Sequence, residues 1–193
     1  MKPVYGAGCT RCPKVMFVFM NPTAQNISTA PSWRGLRAPW IGTKNVWHFF
    51  HILGLLPHEI LREIQDRGLD GWTPRFATEV YEALAARGAY VTNLAKCTQR
   101  DARPLKNSVF RAYRDILFRE ISMARPQHII TLGNQVSSVV LGRSVSVSDF
   151  KGISGETLRI GNTPFFVFPT YYPVGQGRRN LPRSIERISA ILA

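Results

Sequence analysis

Two asparagines and a pair of tyrosines are the residues of this chain whose type and placement suit chemistry. Asn21 comes shortly after the apolar run Val15-Met16-Phe17-Val18, Asn93 ends a second such run, and Tyr171-Tyr172 follow a third. An amide offers one acceptor and two donors and a phenol offers a donor, so these groups can read a polar edge and stabilise charge. No Asp or Glu lies in these stretches, which argues against chemistry based on two carboxylates.

The elements that must position these residues are buried parallel strands. Uninterrupted apolar runs rich in β-branched and aromatic residues indicate such strands, and segments of helical periodicity alternate with them. In open α/β sheets the ligands lie at the carboxyl ends of the strands. We therefore predict one domain over residues 1–193, an α/β fold built as a three-layer α/β/α sandwich. Its central four-stranded, mostly parallel sheet is expected to have one cleft fed by four strand ends.

The boundaries of these elements follow from caps and breakers. The predicted strands cover residues 15–19, 89–93, 128–132 and 165–168. The predicted helices begin at Asn45 and continue at about 58–65, 74–86, 107–123, 134–141 and 183–192. Residues 1–13 are expected to be a loop, and residues 143–163 a loop or an edge hairpin around Gly152 and Gly155.

The net charge of +13 in 193 residues is the strongest global feature. It favours a polyanionic partner, and nucleic acid in particular, over a basic surface that serves solubility alone. A membrane surface is the weaker alternative, because no helix combines a basic face with an apolar anchor. The apolar runs are too short to span a bilayer, and we expect a cytoplasmic protein.

Three cysteines, Cys9, Cys12 and Cys97, fit a reducing compartment better than a disulfide framework. The spacing Cys9-Thr10-Arg11-Cys12 is typical of half of a metal or cluster site, although it is a weak signal alone.

Five motifs in order resemble those of the uracil-DNA glycosylase superfamily, and most closely the iron–sulfur-bearing family 4. Phe19-Met20-Asn21-Pro22-Thr23 matches Gly-Glu-Ala-Pro-Gly, and Ala38-Pro39-Trp40-Ile41-Gly42 matches Arg-Pro-Phe-Val-Gly. Thr92-Asn93-Leu94-Ala95-Lys96-Cys97 is similar to Thr-Asn-Val-Val-Lys-Cys. Thr131-Leu132-Gly133-Asn134-Gln135 and Pro169-Thr170-Tyr171-Tyr172-Pro173 resemble the Ala-Leu-Gly and Pro-Thr-Tyr-His-Pro segments.

The resemblance implies a monofunctional enzyme of base-excision repair that flips deoxyuridine out of DNA and hydrolyses its N-glycosidic bond. Asn21 stands where mismatch-specific and single-strand-selective glycosylases carry Gly-x-Asn-Pro-Gly, which implies that Asn21, supported by Thr23, positions the attacking water. Trp40 is expected to stack on the base, and Asn93 to pair with uracil O4 and N3–H, a pattern that cytosine reverses. Tyr172 is the candidate donor to uracil O2. Met20, Pro22 and Tyr171 complete the expected substrate-binding set.

Two departures from the family pattern bear on activity. Tyr172 stands where the family has its catalytic His, and Met20 stands at the acidic position of the first motif. The family also binds its cluster with four cysteines, whereas Cys9, Cys12 and Cys97 match three and the fourth position is Tyr113. We expect no cofactor; the alternative is a [4Fe-4S] cluster on these three cysteines with a non-cysteine fourth ligand.

Basic residues in the loops around the motifs are expected to contact DNA phosphates. The segment after the last motif is expected to enter the duplex, with Gln176 and Arg178 as the wedge candidates. The predicted DNA-binding residues are Arg34, Arg37, Lys44, Arg100, Arg103, Lys106, Gln176, Arg178 and Arg179.

The predicted partners are uracil-containing DNA and free uracil as product, for a protein that acts as a monomer. Two alternatives stay open. The first is a catalytically weak protein that binds uracil or abasic DNA. The second is a glycosylase for another base, such as hypoxanthine, xanthine or a mismatched thymine.

Overall fold

The central strand of the sheet, Val15–Phe19 (β2), is buried along its whole length. Its apolar residues are covered on both faces, as expected of a strand inside a parallel sheet. The computed structural model describes residues 1–68, 71–100 and 105–193, and for Gln176 the backbone alone. The other strands are β1 (Ala7–Gly8), β3 (Ala89–Asn93), β4 (His128–Leu132), β5 (Glu156–Ile160) and β6 (Thr163–Thr170).

The strands form one six-stranded sheet in the order β1-β3-β2-β4-β6-β5. The four inner strands are mutually parallel, which confirms the predicted central sheet. The two edge strands pair antiparallel with their neighbours, and β1 lies inside the stretch predicted to be a loop. These additions leave the parallel core unchanged and lengthen the sheet on both sides.

Helices cover both faces of the sheet. They are α1 (Asn45–Ile52), α2 (His58–Asp66), α3 (Pro74–Ala86), α4 (Asn107–Ala112), α5 (Arg114–Ala124), α6 (Asn134–Leu141) and α7 (Leu181–Leu192). Short 3-10 helices occupy Ile27–Thr29, Val147–Asp149 and Gly175–Asn180. None of the helices in the described residues is long and apolar enough to cross a membrane.

Alternate residues of β2 feed two separate cores, which gives the predicted three layers. Phe17 and Phe19 pack under α1, α2, α3 and α7. Met16 and Val18 pack under α4, α5 and α6 on the other face. Burial of this many large apolar side chains is the main source of stability for such a fold.

Two predicted boundaries were wrong, each for a local reason. The single helix predicted over 107–123 is interrupted at Tyr113, whose N–H bonds to the carbonyl of Phe110 in a tighter, 3-10-like turn. The edge hairpin exists, but it turns at Gly161 and Asn162 rather than around Gly152 and Gly155. Gly161 has φ +58°, and a positive φ is what a two-residue hairpin loop requires.

Candidate active site

The ends of the four parallel strands lie along one edge of the sheet, as predicted. Phe19, the last residue of β2, is in register with Asn93, the last residue of β3. On the other side of β2, Leu132 of β4 is in register with Thr170 of β6. The segments that carry the predicted site residues therefore leave the sheet side by side.

The phenyl ring of Phe19 connects two of the predicted site residues. Its centroid lies 5.0 Å from that of Trp40 at an interplanar angle of 72° and 6.0 Å from that of Tyr172 at 84°. Both contacts are edge-to-face, a favourable geometry for aromatic pairs. Phe19 is fully buried, so it is a fixed support against which both rings pack. Sequence reasoning treated Phe19 only as the end of a strand and missed this role.

Trp40 is held in an uncommon backbone conformation. Its φ of +68° lies in the left-handed region, which a bulky residue adopts only where its surroundings impose it. The carbonyl of Trp40 accepts from the Thr43 hydroxyl at 2.7 Å and from the Thr43 N–H at 3.0 Å. The Tyr81 hydroxyl bonds to the carbonyl of Pro39. The indole Nε1 is buried and has no hydrogen-bond partner among the described residues.

Asn26 fixes the loop that leads to Trp40. Its Nδ2 donates to the carbonyl of Ala38 at 2.7 Å, and its Oδ1 accepts from the N–H and hydroxyl of Ser28 at 3.0 and 2.8 Å. All three bonds are buried, where hydrogen bonds are strong and constrain geometry. Asn26 is therefore a second site residue that the motif comparison missed.

Asn93 is 2% exposed at the carboxyl end of β3. Its Nδ2 is buried and finds no partner within the described part of the chain. A buried donor without a partner costs about 1–3 kcal/mol, a cost that a ligand carrying a suitable acceptor would remove. An unsatisfied buried amide at the ligand-binding edge of the sheet is the most specific feature of this site.

The segment from Met20 to Ala24 continues beside the segment after β3. The N–H of Ala95 donates to the carbonyl of Met20 at 2.9 Å, and that of Gln99 donates to the carbonyl of Pro22 at 3.1 Å. Thr23 forms an isolated bridge with Gln99. Asn21 is half-buried, and its Nδ2 donates to the carbonyl of Pro22 at 3.1 Å. The amide oxygen of Asn21 is thus the polar atom that this bond leaves available.

Tyr172 lies beside Phe19 in apolar surroundings, and burial raises the pKa of its phenol well above the ordinary value. The phenol is therefore neutral, and able to donate, throughout the neutral pH range. Tyr171 is half-buried, with the Arg183 guanidinium 5.9 Å from its ring centroid.

Helix α7 holds the backbone around these tyrosines. Ser184 Oγ donates to the carbonyl of Tyr171 at 2.9 Å, and Arg187 Nε donates to the carbonyl of Pro169 at 3.0 Å. Gly177 approaches the same turn so closely that a Cβ built on it would lie 2.1 Å from the carbonyl oxygen of Tyr172. The turn that carries Tyr172 is therefore fixed by contacts far away in sequence.

The predicted DNA-binding residues divide into exposed and internal groups. Arg37 is half-buried, and its guanidinium donates to the carbonyls of Ser28, Ala30 and Trp33, so its donors serve the loop. Arg103 lies outside the described residues, as does the side chain of Gln176. The exposed cations are Arg34, Lys44, Arg100, Lys106, Arg178 and Arg179.

Comparison with known proteins assigns the chain to a family. The profile described as "Uracil DNA glycosylase superfamily" matches residues 6–192, nearly the whole chain. The protein belongs to the uracil DNA glycosylase superfamily. A curated relative, the type-4 uracil-DNA glycosylase of Saccharolobus solfataricus, is 30% identical over 93 residues. That match covers 47% of this chain and 43% of the relative, so the chain spans less than half of the protein it matches.

In this superfamily member the three cysteines do not come together. The N–H of Cys9 bonds to the carbonyl of Ala89, at the start of β3, whereas Cys97 follows the end of β3. The four residue steps of β3, at about 3.3 Å each, therefore separate Cys9 from Cys97 by about 13 Å or more along the sheet. Among residues 1–68, 71–100 and 105–193, no three His, Cys, Asp or Glu side chains form a group that can hold a metal ion.

Tyr113, at the position of the family's fourth cluster cysteine, does lie near one of the three cysteines. Tyr113 lies next to Cys97, as the spacing predicted; burial raises the pKa of its phenol, and the Cys97 thiol adds to the rise. The residues present thus do not fit a [4Fe-4S] cluster on Cys9, Cys12 and Cys97, because Cys9 lies at the opposite end of the strand. The absence of a cofactor stays a prediction, to be tested on the purified protein.

Proposed function

We propose that this protein is a monofunctional uracil-DNA glycosylase that acts as a monomer without a bound cofactor. It hydrolyses the N-glycosidic bond of deoxyuridine in DNA, releases uracil and leaves an abasic site. The observation that carries the proposal is the buried amide of Asn93, whose Nδ2 has no partner in the described residues. Membership of the superfamily supports the reaction class.

Base recognition requires that the nucleotide leaves the duplex, because the protein cannot reach the reacting bond inside the base stack. Asn93 then donates from Nδ2 to uracil O4 and accepts from N3–H at Oδ1. Cytosine presents the opposite pattern and leaves both groups unpaired. Trp40 provides the flat apolar surface on which the base stacks, and Met20, Pro22 and Tyr171 line the rest of the pocket.

The chemical step breaks the bond between C1′ and N1, and the bonding electrons leave with uracil. Tyr172 donates a hydrogen bond to O2, where the negative charge develops, and the backbone N–H of Thr23 shares this role, since that of Ala24 donates to the carbonyl of Gln99. Asn21 accepts a hydrogen bond from the attacking water through its amide oxygen, with Thr23 in support. The water oxygen bonds to C1′, and its proton passes to the departing base or to solvent.

A lyase step through Lys96 is not part of this mechanism. Lys96 is 6% exposed, and its Nζ forms a 2.6 Å ion pair with Glu120 on the side of the sheet that α5 covers. A Schiff base needs a free amine at the substrate. The abasic site is therefore the final product.

The exposed cations around the site provide the DNA-binding surface. Arg178 and Arg179 lie in the 3-10 helix Gly175–Asn180, directly after the turn that carries Tyr172. We propose that Gln176 and Arg178 enter the duplex beside the flipped nucleotide and that Arg34, Lys44, Arg100, Lys106 and Arg179 contact phosphates. Arg37 is left out of this surface, because its guanidinium binds loop carbonyls.

A second candidate function is a catalytically weak protein that binds uracil or abasic DNA. Met20 and Tyr172 favour it, because neither side chain supplies the acid or the imidazole of the family pattern. A neutral phenol also stabilises a departing anion less than a charged imidazolium does. Binding to uracil-containing DNA without release of the base would support this second function.

The decisive experiment is single-turnover cleavage of a labelled oligonucleotide that carries one uracil, as duplex and as single strand. Asn93→Asp is measured beside the wild type, with Asn162→Asp in the exposed β5–β6 turn as the matched control. We expect abasic product from the wild type and the control, and a loss on the order of 10²- to 10⁴-fold for Asn93→Asp. No product from the wild type after long incubation would refute the proposed function.

A further inference from the structure

Lys96 uses all three of its donors inside the protein. Its Nζ lies 2.6 Å from Thr92 Oγ1, 2.7 Å from the carbonyl oxygen of Asn93 and 2.6 Å from Glu120 Oε2. The side chain is 7% exposed. A lysine ammonium has three N–H donors, so this set of bonds satisfies it completely.

The ion pair is part of a larger buried network on the α5 side of β3. Glu120 Oε1 accepts from the Tyr90 hydroxyl at 2.7 Å and from Thr92 Oγ1 at 2.9 Å. The N-terminal segment closes over it at Gly6, where a Cβ would lie 2.1 Å from the Tyr90 hydroxyl and 2.4 Å from Glu120 Oε1. The network thus joins the N-terminal segment, β3 and α5.

The bond to Asn93 is the one by which this network acts on the active site. Lys96 follows Asn93 by three residues and reaches back to its carbonyl, which closes the turn at the end of β3. The orientation of that peptide sets the direction of the Asn93 side chain. A buried ion pair is weak evidence for stability, because desolvation offsets most of its Coulombic attraction. The bond from Lys96 to the Asn93 carbonyl instead gives the ion pair a role in orienting Asn93.

We propose that Lys96, held in place by Glu120, is a positioning residue that aligns the Asn93 amide with the edge of the base. The inference rests on the proposed function, because it assigns the base-reading role to Asn93. Lys96 itself does not touch the substrate. Its effect is expected on the excision of uracil and not on the general affinity for DNA.

The test uses Lys96→Met together with Glu120→Met. Removal of one charge alone leaves its partner buried and unpaired, which strongly destabilises a protein, whereas removal of both charges is often tolerated. A cavity of about 460 Å³ borders Tyr90, Lys96 and Glu120, so water can reach the Tyr90 hydroxyl when Glu120 is replaced. Tyr90→Phe is the matched control, because it removes a bond to Glu120 and leaves Lys96 and Asn93 untouched.

We measure single-turnover uracil excision, affinity for uracil-free duplex and the melting temperature. The double variant is expected to lose about tenfold or more in excision rate, the equivalent of one misplaced hydrogen bond, with unchanged affinity for uracil-free duplex. Tyr90→Phe is expected to excise uracil at the wild-type rate.

A double-mutant cycle with Asn93→Ala separates positioning from a general structural effect. If Lys96 acts through Asn93, Asn93→Ala costs much less in the double-variant background than in the wild type. An Asn93→Ala variant that loses the same factor in excision rate in both backgrounds would overturn the inference. Wild-type activity of the Lys96→Met, Glu120→Met variant would overturn it as well. A wild type that excises no uracil instead refutes the proposed function, so the two failures are distinguishable.

Discussion

The Tyr172→Phe variant keeps the ring that packs against Phe19 at 6.0 Å and removes only the hydroxyl. Because that phenol is the proposed donor to uracil O2, its loss should slow bond cleavage and leave the fold intact. Removal of one donor from a site of this kind costs about 10²- to 10³-fold in rate, or about 2.7–4 kcal/mol. We expect the lower end of this range, because the phenol is a neutral donor.

The assay is single-turnover excision at saturating enzyme, with Tyr171→Phe as the matched control. Tyr171 is adjacent in sequence, and its variant also loses only a hydroxyl. Equal melting temperatures for both variants and the wild type would show that the rates report chemistry. A Tyr172→Phe rate within about threefold of the wild type, well below the loss of a donor, would refute the role of the phenol.

The pH dependence gives an independent check on the same residue. Burial raises the pKa of Tyr172 above that of a free phenol, so its donor is lost only as the pH rises through that elevated value. The contribution of Tyr172 to the rate is therefore constant between about pH 6 and pH 9. Tyr172→His should introduce a titration near or below about pH 6.5, because burial lowers the pKa of an imidazole. A wild-type excision rate that titrates between about pH 6 and pH 9 would contradict the role of Tyr172 as a neutral donor.

Two further predictions concern DNA binding and the cysteines. Arg178→Ala with Arg179→Ala should lower the slope of log affinity against log salt by about 2, whereas Lys14→Ala with Arg87→Ala, at the opposite edge of the sheet, should leave it unchanged. Equal slopes for the two double variants would place the DNA-binding surface elsewhere. Replacement of Cys9, Cys12 and Cys97 by Ser should leave the rate unchanged, and the purified wild type should show no visible absorption of an iron–sulfur cluster. Bound iron in the wild type, with activity lost in the triple variant, would contradict a cofactor-free enzyme.

The parallel core of the fold was predictable because it leaves a regular signal in the sequence. The run Val15–Phe19 is apolar throughout, and Ala89-Tyr90-Val91 opens β3 in the same way, as a strand buried on both faces requires. The placement of Asn93 followed directly, since it ends such a run. The edge strand β5 was harder to identify, because its residues are partly exposed and its turn depends on Gly161 alone.

The contacts that fix the site side chains were not predictable. Asn26 bonds to Ala38, and Arg187 bonds to Pro169 and to the carbonyl of Gly152 at 2.5 Å. These bonds join a side chain to a backbone carbonyl across 12 to 35 residues, so they produce no periodicity and no motif. The edge-to-face contacts of Phe19 depend likewise on how three separate segments meet.

The cysteines show what a motif lacks when its position on the sheet is unknown. Cys9-Thr10-Arg11-Cys12 has a familiar spacing, and Tyr113 does lie beside Cys97. The N-terminal segment, however, runs antiparallel to β3 and carries Cys9 to the start of that strand. Spacing along the chain therefore does not decide which of the cysteines are neighbours, because the strand direction sets the distance between them.

The close approach of Gly177 to Tyr172 has a consequence for the choice between DNA and free nucleotides. The 3-10 helix Gly175–Asn180 and the Tyr172 turn are in van der Waals contact at the backbone, with no side chain between them to absorb a displacement. Any force that DNA applies to this helix is therefore transmitted to Tyr172, the proposed donor to the base. A free deoxyuridine nucleotide carries no duplex to apply that force, so we expect the proposed enzyme to act on DNA and to leave free nucleotides intact.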